Sequence, residues 1–176
     1  MFSECLSRAP NLICANPNYV KKVIFPLETL GSVTVGNAIF HALTSLVILL
    51  IFELIAMHQI PITIMWLPLV WTPLILITMS GTWLLSAAGV FLRDIGQLIN
   101  VALSMLMFLS PIFFPISALP EKWQPMLKIN PLAVIIEQTR HTAVEGMNPD
   151  PLYLTLGIPV CLVICEVSFR IFQKSK

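Results

Sequence analysis

Acidic side chains are the first candidates for chemistry in this chain, because paired or metal-bound carboxylates carry out many transfer and hydrolysis reactions. Four acids fall within one stretch near the C-terminus: Glu121, Glu137, Glu145 and Asp150. They form no D-x-D motif and lack the spacing of a metal site. The acids therefore give little support to one alternative, an enzyme such as a glycosyltransferase acting on lipid-linked sugar.

Nucleophilic, metal-binding and phosphate-binding patterns are also missing from the sequence. The four cysteines, at positions 5, 14, 161 and 165, form no C-x-x-C pair. No G-x-x-x-x-G-K-[S/T] loop occurs to hold phosphates. We therefore expect no catalytic residue, no bound metal and no cofactor in this chain.

The composition explains this lack of chemistry. Hydrophobic residues make up 57% of the 176 and charged residues only 11%, with a mean hydropathy of +0.87. A soluble domain keeps roughly a quarter of its residues charged. There is no basic stripe for nucleic acid. The composition is that of an integral membrane protein, which we expect to be an all-α, polytopic helical bundle.

Four apolar runs are long enough to cross the roughly 30 Å hydrocarbon core, which takes about 20 helical residues. They are 33–57, 62–90, 95–114 and 152–172. Pro68 and Pro73 in the second run predict a tilt, a kink or a short interfacial start.

Lysine and arginine placement predicts the orientation of these four spans. Seven lie on the side that holds both termini: Arg8, Lys21, Lys22, Arg93, Arg170, Lys174 and Lys176. Three lie on the other side: Lys122, Lys128 and Arg140. Both termini are therefore predicted to be cytosolic.

Ionisable residues inside the spans are functional candidates by default. We expect Glu53 to reach the outer interface, with a role in lining a polar path as the alternative. His41 is expected to make an inter-helix hydrogen bond. Glu166 and Arg170 have the spacing of an ion pair along one helix. A buried acid relay for a proton-coupled carrier is absent from the sequence.

Hydroxyl side chains recur at four-residue steps in the second span, at Thr78, Thr82 and Ser86. Small polar residues on one face allow helices to pack closely in a membrane. We favour packing over the alternative that they present hydroxyls to a sugar chain.

Two short segments flank the spans on the cytosolic side. At 16–26, Asn16 and Pro17 can start a helix that ends before Pro26. With about nine residues, this helix is too short to cross a membrane. At 91–97, Asp94 and Gln97 have the spacing of a capping box, and Arg93 can anchor the turn at the head groups.

The outer segment 115–147 is too long for a plain connector and too apolar for a disordered one. Pro111 and Pro115 end the third span. A short helix fits Pro120 to about Leu127, and a second fits Leu132 to Val144 with Gly146 as its stop. We interpret this segment as two short amphipathic helices lying at, or dipping into, the outer face of the membrane. The alternative is a folded surface loop with no gating role.

Five motifs in order carry a family resemblance: N-P-N-Y-V-K-K-V-I-F-P at 16–26, V-F-L-R-D-I-G-Q at 90–97, L-S-P-I-F-F-P at 109–115, P-E-K-W at 120–123 and N-P-L at 130–132. From about Phe2 to Phe172, the chain resembles permease subunits of type-2 ABC exporters for O-antigen, capsule and teichoic acid. Such subunits have six spans. The resemblance implies a single membrane domain over 1–176 that lacks the first two spans.

The resemblance also implies roles for particular residues. An ATPase-coupling helix would contain Asn16, Pro17, Tyr19, Val20, Lys21, Lys22, Ile24 and Phe25. A cytosolic turn would contain Arg93, Asp94 and Gln97. The outer gate and substrate path would contain Pro111, Phe113, Phe114, Pro115, Trp123, Asn130 and Pro131, although these aromatics also suit an interfacial belt.

The partners implied are an ABC ATP-binding subunit, which would bind ATP and magnesium, and a second copy of the permease. Lipid-linked polysaccharide would be the substrate and the bacterial cytoplasmic (inner) membrane the location. An exporter of a drug or lipid with the same architecture is the closest alternative.

Overall fold

The computed structural model describes residues 1–15, 27–57, 61–92, 94–112 and 130–174. These described residues form α-helices and no strand, which confirms the all-α prediction. The helices are α1 Phe2–Leu12, α2 Glu28–Met57, α3 Leu67–Phe91, α4 Ile95–Leu109, α5 Pro131–Ala143 and α6 Ile158–Lys174. A 3-10 turn, Ile62–Trp66, leads into α3, and a π-helical turn, Tyr153–Gly157, leads into α6.

Three helical stretches in the described chain are long and apolar enough to cross a membrane. They are Glu28–Ala56, Ile62–Phe91 and Tyr153–Lys174. The first begins five residues before the predicted 33, and the second begins with the 3-10 turn. Helix α4 is apolar but only 15 residues long, so the fourth crossing stays a prediction.

The prediction that the third span reaches residue 114 is wrong, because α4 ends at Leu109. The next residue, Ser110, has φ −93° and ψ 142°, which is an extended conformation. Pro111 disfavours helical geometry in the residue before it and cannot donate a backbone hydrogen bond. Proline therefore stops α4 earlier than hydropathy alone suggests.

Helix α3 is the central element and contacts each of the other five helices. Its Thr78, Thr82 and Ser86 are buried, and each hydroxyl donates to the carbonyl four residues earlier, at 2.6 to 2.7 Å. Because each hydroxyl bonds within its own helix, these three small side chains need no hydrogen-bond partner on a neighbouring helix. The structure therefore agrees with the helix-packing prediction for this row.

Helix α1 uses glycines of α3 to approach it closely. A Cβ atom on Gly81 would lie 3.3 Å from the Leu6 side chain, and one on Gly89 would overlap the backbone of Pro10. At the other end of α1, Cys5 is fully buried with Val35 and Ala38 of α2. Helix α1 therefore packs against both α2 and α3.

Pro73 interrupts the hydrogen bonding of α3, since proline has no backbone N–H. Just before it, the Val70 carbonyl accepts a hydrogen bond from the Tyr153 hydroxyl at 2.9 Å. Neighbouring helices commonly satisfy backbone groups near prolines in membranes. Tyr153 therefore joins the π-helical turn to the proline-containing part of α3.

Candidate functional site

The predicted coupling segment lies outside the described residues. This covers Asn16, Pro17, Tyr19, Val20, Lys21, Lys22, Ile24 and Phe25. The structure does describe the residues that flank it. Before it, the Cys14 thiol contacts the Gly89 carbonyl at 4.0 Å. After it, Trp83 Nε1 donates to the Glu28 carbonyl at 3.3 Å. Both flanking stretches therefore contact the same part of α3.

Trp83 is the centre of this attachment. It is 7% exposed and shares a buried cluster with Ala87 and Phe172. Its ring lies 4.9 Å from that of Phe169, centroid to centroid. Gly31 sits against the indole, where a Cβ atom would approach Nε1 to 2.9 Å. Helices α2, α3 and α6 thus meet at one aromatic residue close to the start of α2.

The turn predicted to be cytosolic, at 91–97, lacks the predicted side-chain capping. Asp94 does occupy the N-cap position of α4, but its side chain makes no capping hydrogen bond. With φ −93° and ψ 0°, Asp94 lacks the extended backbone from which an N-cap side chain reaches the first turn. Gln97 donates its backbone N–H to the Asp94 carbonyl at 3.1 Å, an ordinary turn bond. The predicted capping box is therefore wrong, and Arg93 lies outside the described residues.

Only part of the predicted outer gate is described. Phe113, Phe114, Pro115 and Trp123 lie outside the described residues. Pro111 is fully buried at the end of α4. The positions of Asn130 and Pro131 match an N-cap and the first helical residue of α5.

Helix α5 has well-formed ends. Asn130 Oδ1 accepts from the Leu132 N–H at 3.0 Å, as an N-cap does. Beyond the helix, Gly146 has φ +65°, the left-handed conformation that glycine adopts readily. Near the same end, the Thr63 hydroxyl donates to the Thr142 carbonyl at 2.8 Å. The outer helix predicted from Leu132 to Val144 is observed over Pro131–Ala143, and it is attached to the 3-10 turn before α3.

A charged cluster on α5 was not predicted as a unit. Arg140 Nη1 lies 3.3 Å from Glu137 Oε2. His141 lies between two acids, 3.6 Å from Glu137 and 3.5 Å from Glu145. Spacings of three and four residues indicate such contacts along one helix. No sequence signal indicates the contacts that Arg140 makes outside α5.

Two largely apolar cavities flank α5. One, of about 340 Å³, is lined by residues of α1 to α5 that include Trp71, Leu106 and Ile136. The other, of about 290 Å³, lies against α3 and α6 and is lined in part by Pro73 and Tyr153. Helix α5 itself has buried residues, including Ala133, Thr142 and Ala143, so the cavities lie beside a packed helix.

Comparison with known proteins identifies the family of this helical assembly. The family model for ABC-2 type transporters matches residues 1–143. The chain belongs to the ABC-2 type transporter family.

Individual members of this family with named roles are distantly similar. An O-antigen export system permease protein, RfbA of Klebsiella pneumoniae, is 23% identical over 164 residues, or 92% of this chain and 62% of that protein. RfbA of Myxococcus xanthus is also 23% identical, covering 99% of this chain and 68% of its own length. The polysialic acid transport protein KpsM of Escherichia coli is 22% identical, with 98% and 67% covered.

This ABC-2 chain spans 62% of the length of the Klebsiella relatives that it matches. The family match includes α1 to α5 and ends at the last residue of α5. It therefore covers both the part of the chain predicted to couple to an ATPase and the described part of the outer segment.

Two acids of this ABC-2 chain lie in helices that cross or approach the membrane. Glu53 is only 6% exposed, and its Oε2 atom has no hydrogen-bond partner among the described residues. It lies on the buried side of α2, and its reach to the membrane interface stays a prediction, because burial by other helices does not set its depth in a membrane. Glu166 pairs with Arg170 at 2.8 Å, which confirms the predicted ion pair.

The inter-helix hydrogen bond predicted for His41 is absent from the described chain. This residue is exposed on α2 and makes no hydrogen bond to another helix of the described chain. Its ring contacts Phe40 edge-on, with 6.2 Å between the centroids. At about 100° per residue, His41 lies about 120° around α2 from Val35, outside the face that packs on the other helices.

Proposed function

We propose that this chain is the permease part of an ATP-driven exporter that moves lipid-linked polysaccharide across the bacterial cytoplasmic membrane. The observation that carries the proposal is the family match over residues 1–143 together with relatives named for O-antigen export and polysialic acid transport. The charge distribution supports an orientation with both termini in the cytosol.

The partners follow from this function. An ABC ATP-binding subunit would supply the ATP hydrolysis, with ATP and magnesium bound on that subunit, since the permease sequence has no phosphate-binding loop. A second copy of the permease would complete the pathway. The contacts of Cys14 and Glu28, which flank the segment 16–26, with α3 support a coupling role. A push on that segment would be transmitted to α3, and α3 contacts every other described helix.

Loss of the permease tests the proposed export directly. Cells without the chain are expected to lose the polysaccharide from their surface and to retain lipid-linked polymer inside. Polymer would be compared on intact and lysed cells, with re-expression of the chain as the control. Unchanged surface polysaccharide in the deletion strain would contradict the proposed substrate.

Docking of the ATPase subunit depends on the apolar side of the segment 16–26. Replacing Val20 and Ile24 together with aspartate is expected to lower co-purification of the ATPase by roughly tenfold or more, because unpaired charges in an apolar contact are costly. The amount of permease in the membrane should not change. Asn18→Asp is the matched control, since it adds one charge in the same segment away from the predicted apolar stripe. Equal retention of the ATPase by all three proteins would count against the docking helix.

A further inference from the structure

The Arg140 side chain links two helices that otherwise have little contact. Its Nη2 atom donates to the carbonyls of Pro111 and Ile112, at 3.1 and 3.2 Å. Its Nη1 atom donates to Glu137 on its own helix, at 3.3 Å. The side chain is 22% exposed. One guanidinium therefore joins α5 to the second and third residues after the end of α4.

Both carbonyls lie in the turn beyond the last helical residue of α4 and so are not part of its backbone hydrogen bonding. Backbone carbonyls that are screened from water need a hydrogen-bond partner. Pro111 prevents α4 from continuing, so the chain turns just after Leu109, and Ile112 donates its N–H to the Ser110 carbonyl at 2.8 Å. Arginine can reach several acceptors at once, because its five N–H groups form a planar fork.

The acids of α5 hold the guanidinium in this orientation. Glu137 is 16% exposed and contacts both Arg140 and His141. His141 in turn lies beside Glu145. Hydrogen bonds to charged groups are stronger than those between neutral groups. The cluster therefore orients Arg140 toward α4 instead of toward solvent.

The apolar face of α5 packs on α3 and has little contact with α4. The lining of the 340 Å³ cavity includes Leu106 and Ser110 at α4 and Ile136 and Thr139 of α5. Arg140 therefore supplies a polar link between two helices that have few direct contacts.

We propose that Arg140 is a positioning residue that couples α5 to the outer end of α4, so that the two elements move together during transport. The transport role rests on the proposed function, whereas the mechanical link does not. The residue acts through the Pro111 and Ile112 carbonyls and through Glu137.

Cross-linking in membranes tests the mechanical link with the full chain. Ile112 and Ile136 line the same cavity, so cysteines at both positions would be joined by a short thiol-specific cross-linker, with the native cysteines replaced by alanine. Arg140→Gln is expected to slow this reaction roughly tenfold, since it removes the charge-assisted bonds. Arg170→Gln is the matched control, because it removes an exposed arginine that pairs with Glu166 along α6.

A second cysteine pair reports whether the variants fold. Native Cys165 packs against the cluster that contains Ala87, so Ala87→Cys with Cys165 retained reports the contact of α3 with α6. This second reaction should stay unchanged in Arg140→Gln. If Arg140→Gln loses both cross-links, Arg140→Lys distinguishes loss of the link from misfolding. Lysine keeps the charge without the fork, and it should slow only the α4–α5 reaction.

The outcomes separate this inference from the proposed function. Equal α4–α5 cross-linking in Arg140→Gln and the unsubstituted chain would overturn the link, and so would equal slowing by Arg140→Gln and Arg170→Gln. If Arg140→Gln loses both cross-links, full α4–α5 cross-linking in Arg140→Lys would also overturn the link. If Arg140→Gln slows the α4–α5 reaction but leaves the amount of surface polysaccharide unchanged, the role of Arg140 in transport is overturned. Slower cross-linking in a chain whose deletion leaves export intact would support the link and contradict only the proposed function.

Discussion

Alanine at Gly89 is expected to destabilise the chain by about 3 kcal/mol, because it forces two backbones apart. A Cβ atom at this position would lie 2.1 Å from the Pro10 carbonyl oxygen and 2.7 Å from its Cα. These are backbone atoms, so no side-chain rotation can relieve the overlap, and α1 must shift away from α3. The measurement is the midpoint of thermal unfolding of the purified chain in detergent.

Gly36→Ala is the matched control for Gly89→Ala. Both glycines are helical, but a Cβ atom on Gly36 would have no atom within 4 Å. Alanine is preferred over glycine within a helix by up to about 1 kcal/mol. Gly36→Ala should therefore leave the midpoint unchanged or raise it slightly. Similar midpoints for the two variants would show that α1 does not pack on α3 as described.

Trp83→Ala is the second substitution with a large expected effect, at about 3 to 5 kcal/mol. It would open a cavity among Ala87, Phe169 and Phe172 and remove the hydrogen bond to the Glu28 carbonyl. The same thermal midpoint reports the loss. Trp83→Phe separates the two contributions, since it keeps most of the packing and loses only the hydrogen bond, for about 1 kcal/mol.

Trp66→Ala is the control for removal of an indole. Trp66 is 47% exposed, and so its loss should change the midpoint far less. If Trp66→Ala and Trp83→Ala unfold at the same temperature, the Trp83 cluster does not stabilise the packing of the start of α2. A fall in ATPase co-purification with Trp83→Ala in intact membranes would connect this cluster to the coupling segment.

Hydropathy was sufficient to predict the apolar helices, because membrane helices need about 20 apolar residues whatever their neighbours are. It failed at the end of α4, where Pro111 overrides a run of apolar residues that continues to Phe114. Local proline geometry decided the boundary there. The start of α5 is a second local effect, since Asn130 caps the helix and Pro131 is its first residue, one residue before the predicted start at Leu132.

The polar residues were harder to predict because their surroundings depend on tertiary structure. Glu53 and His41 lie on different faces of α2, about 120° apart, and only the positions of the other helices show that Glu53 is buried and His41 exposed. The Asp94 capping box had the correct spacing but not the backbone conformation. Arg140 had visible partners along α5, yet its bonds to Pro111 and Ile112 span 28 and 29 positions in sequence.

The early end of α4 has a consequence for the membrane around it. Fifteen residues at 1.5 Å each extend about 22 Å, whereas the hydrocarbon core is about 30 Å thick. If α4 crosses the membrane as predicted, the bilayer beside it must thin, or head groups and water must descend toward Ser110 to meet its end. Under the proposed export function, either response would shorten the distance over which a sugar polymer loses its hydration. The local barrier to such a cargo would then be lowest next to α4.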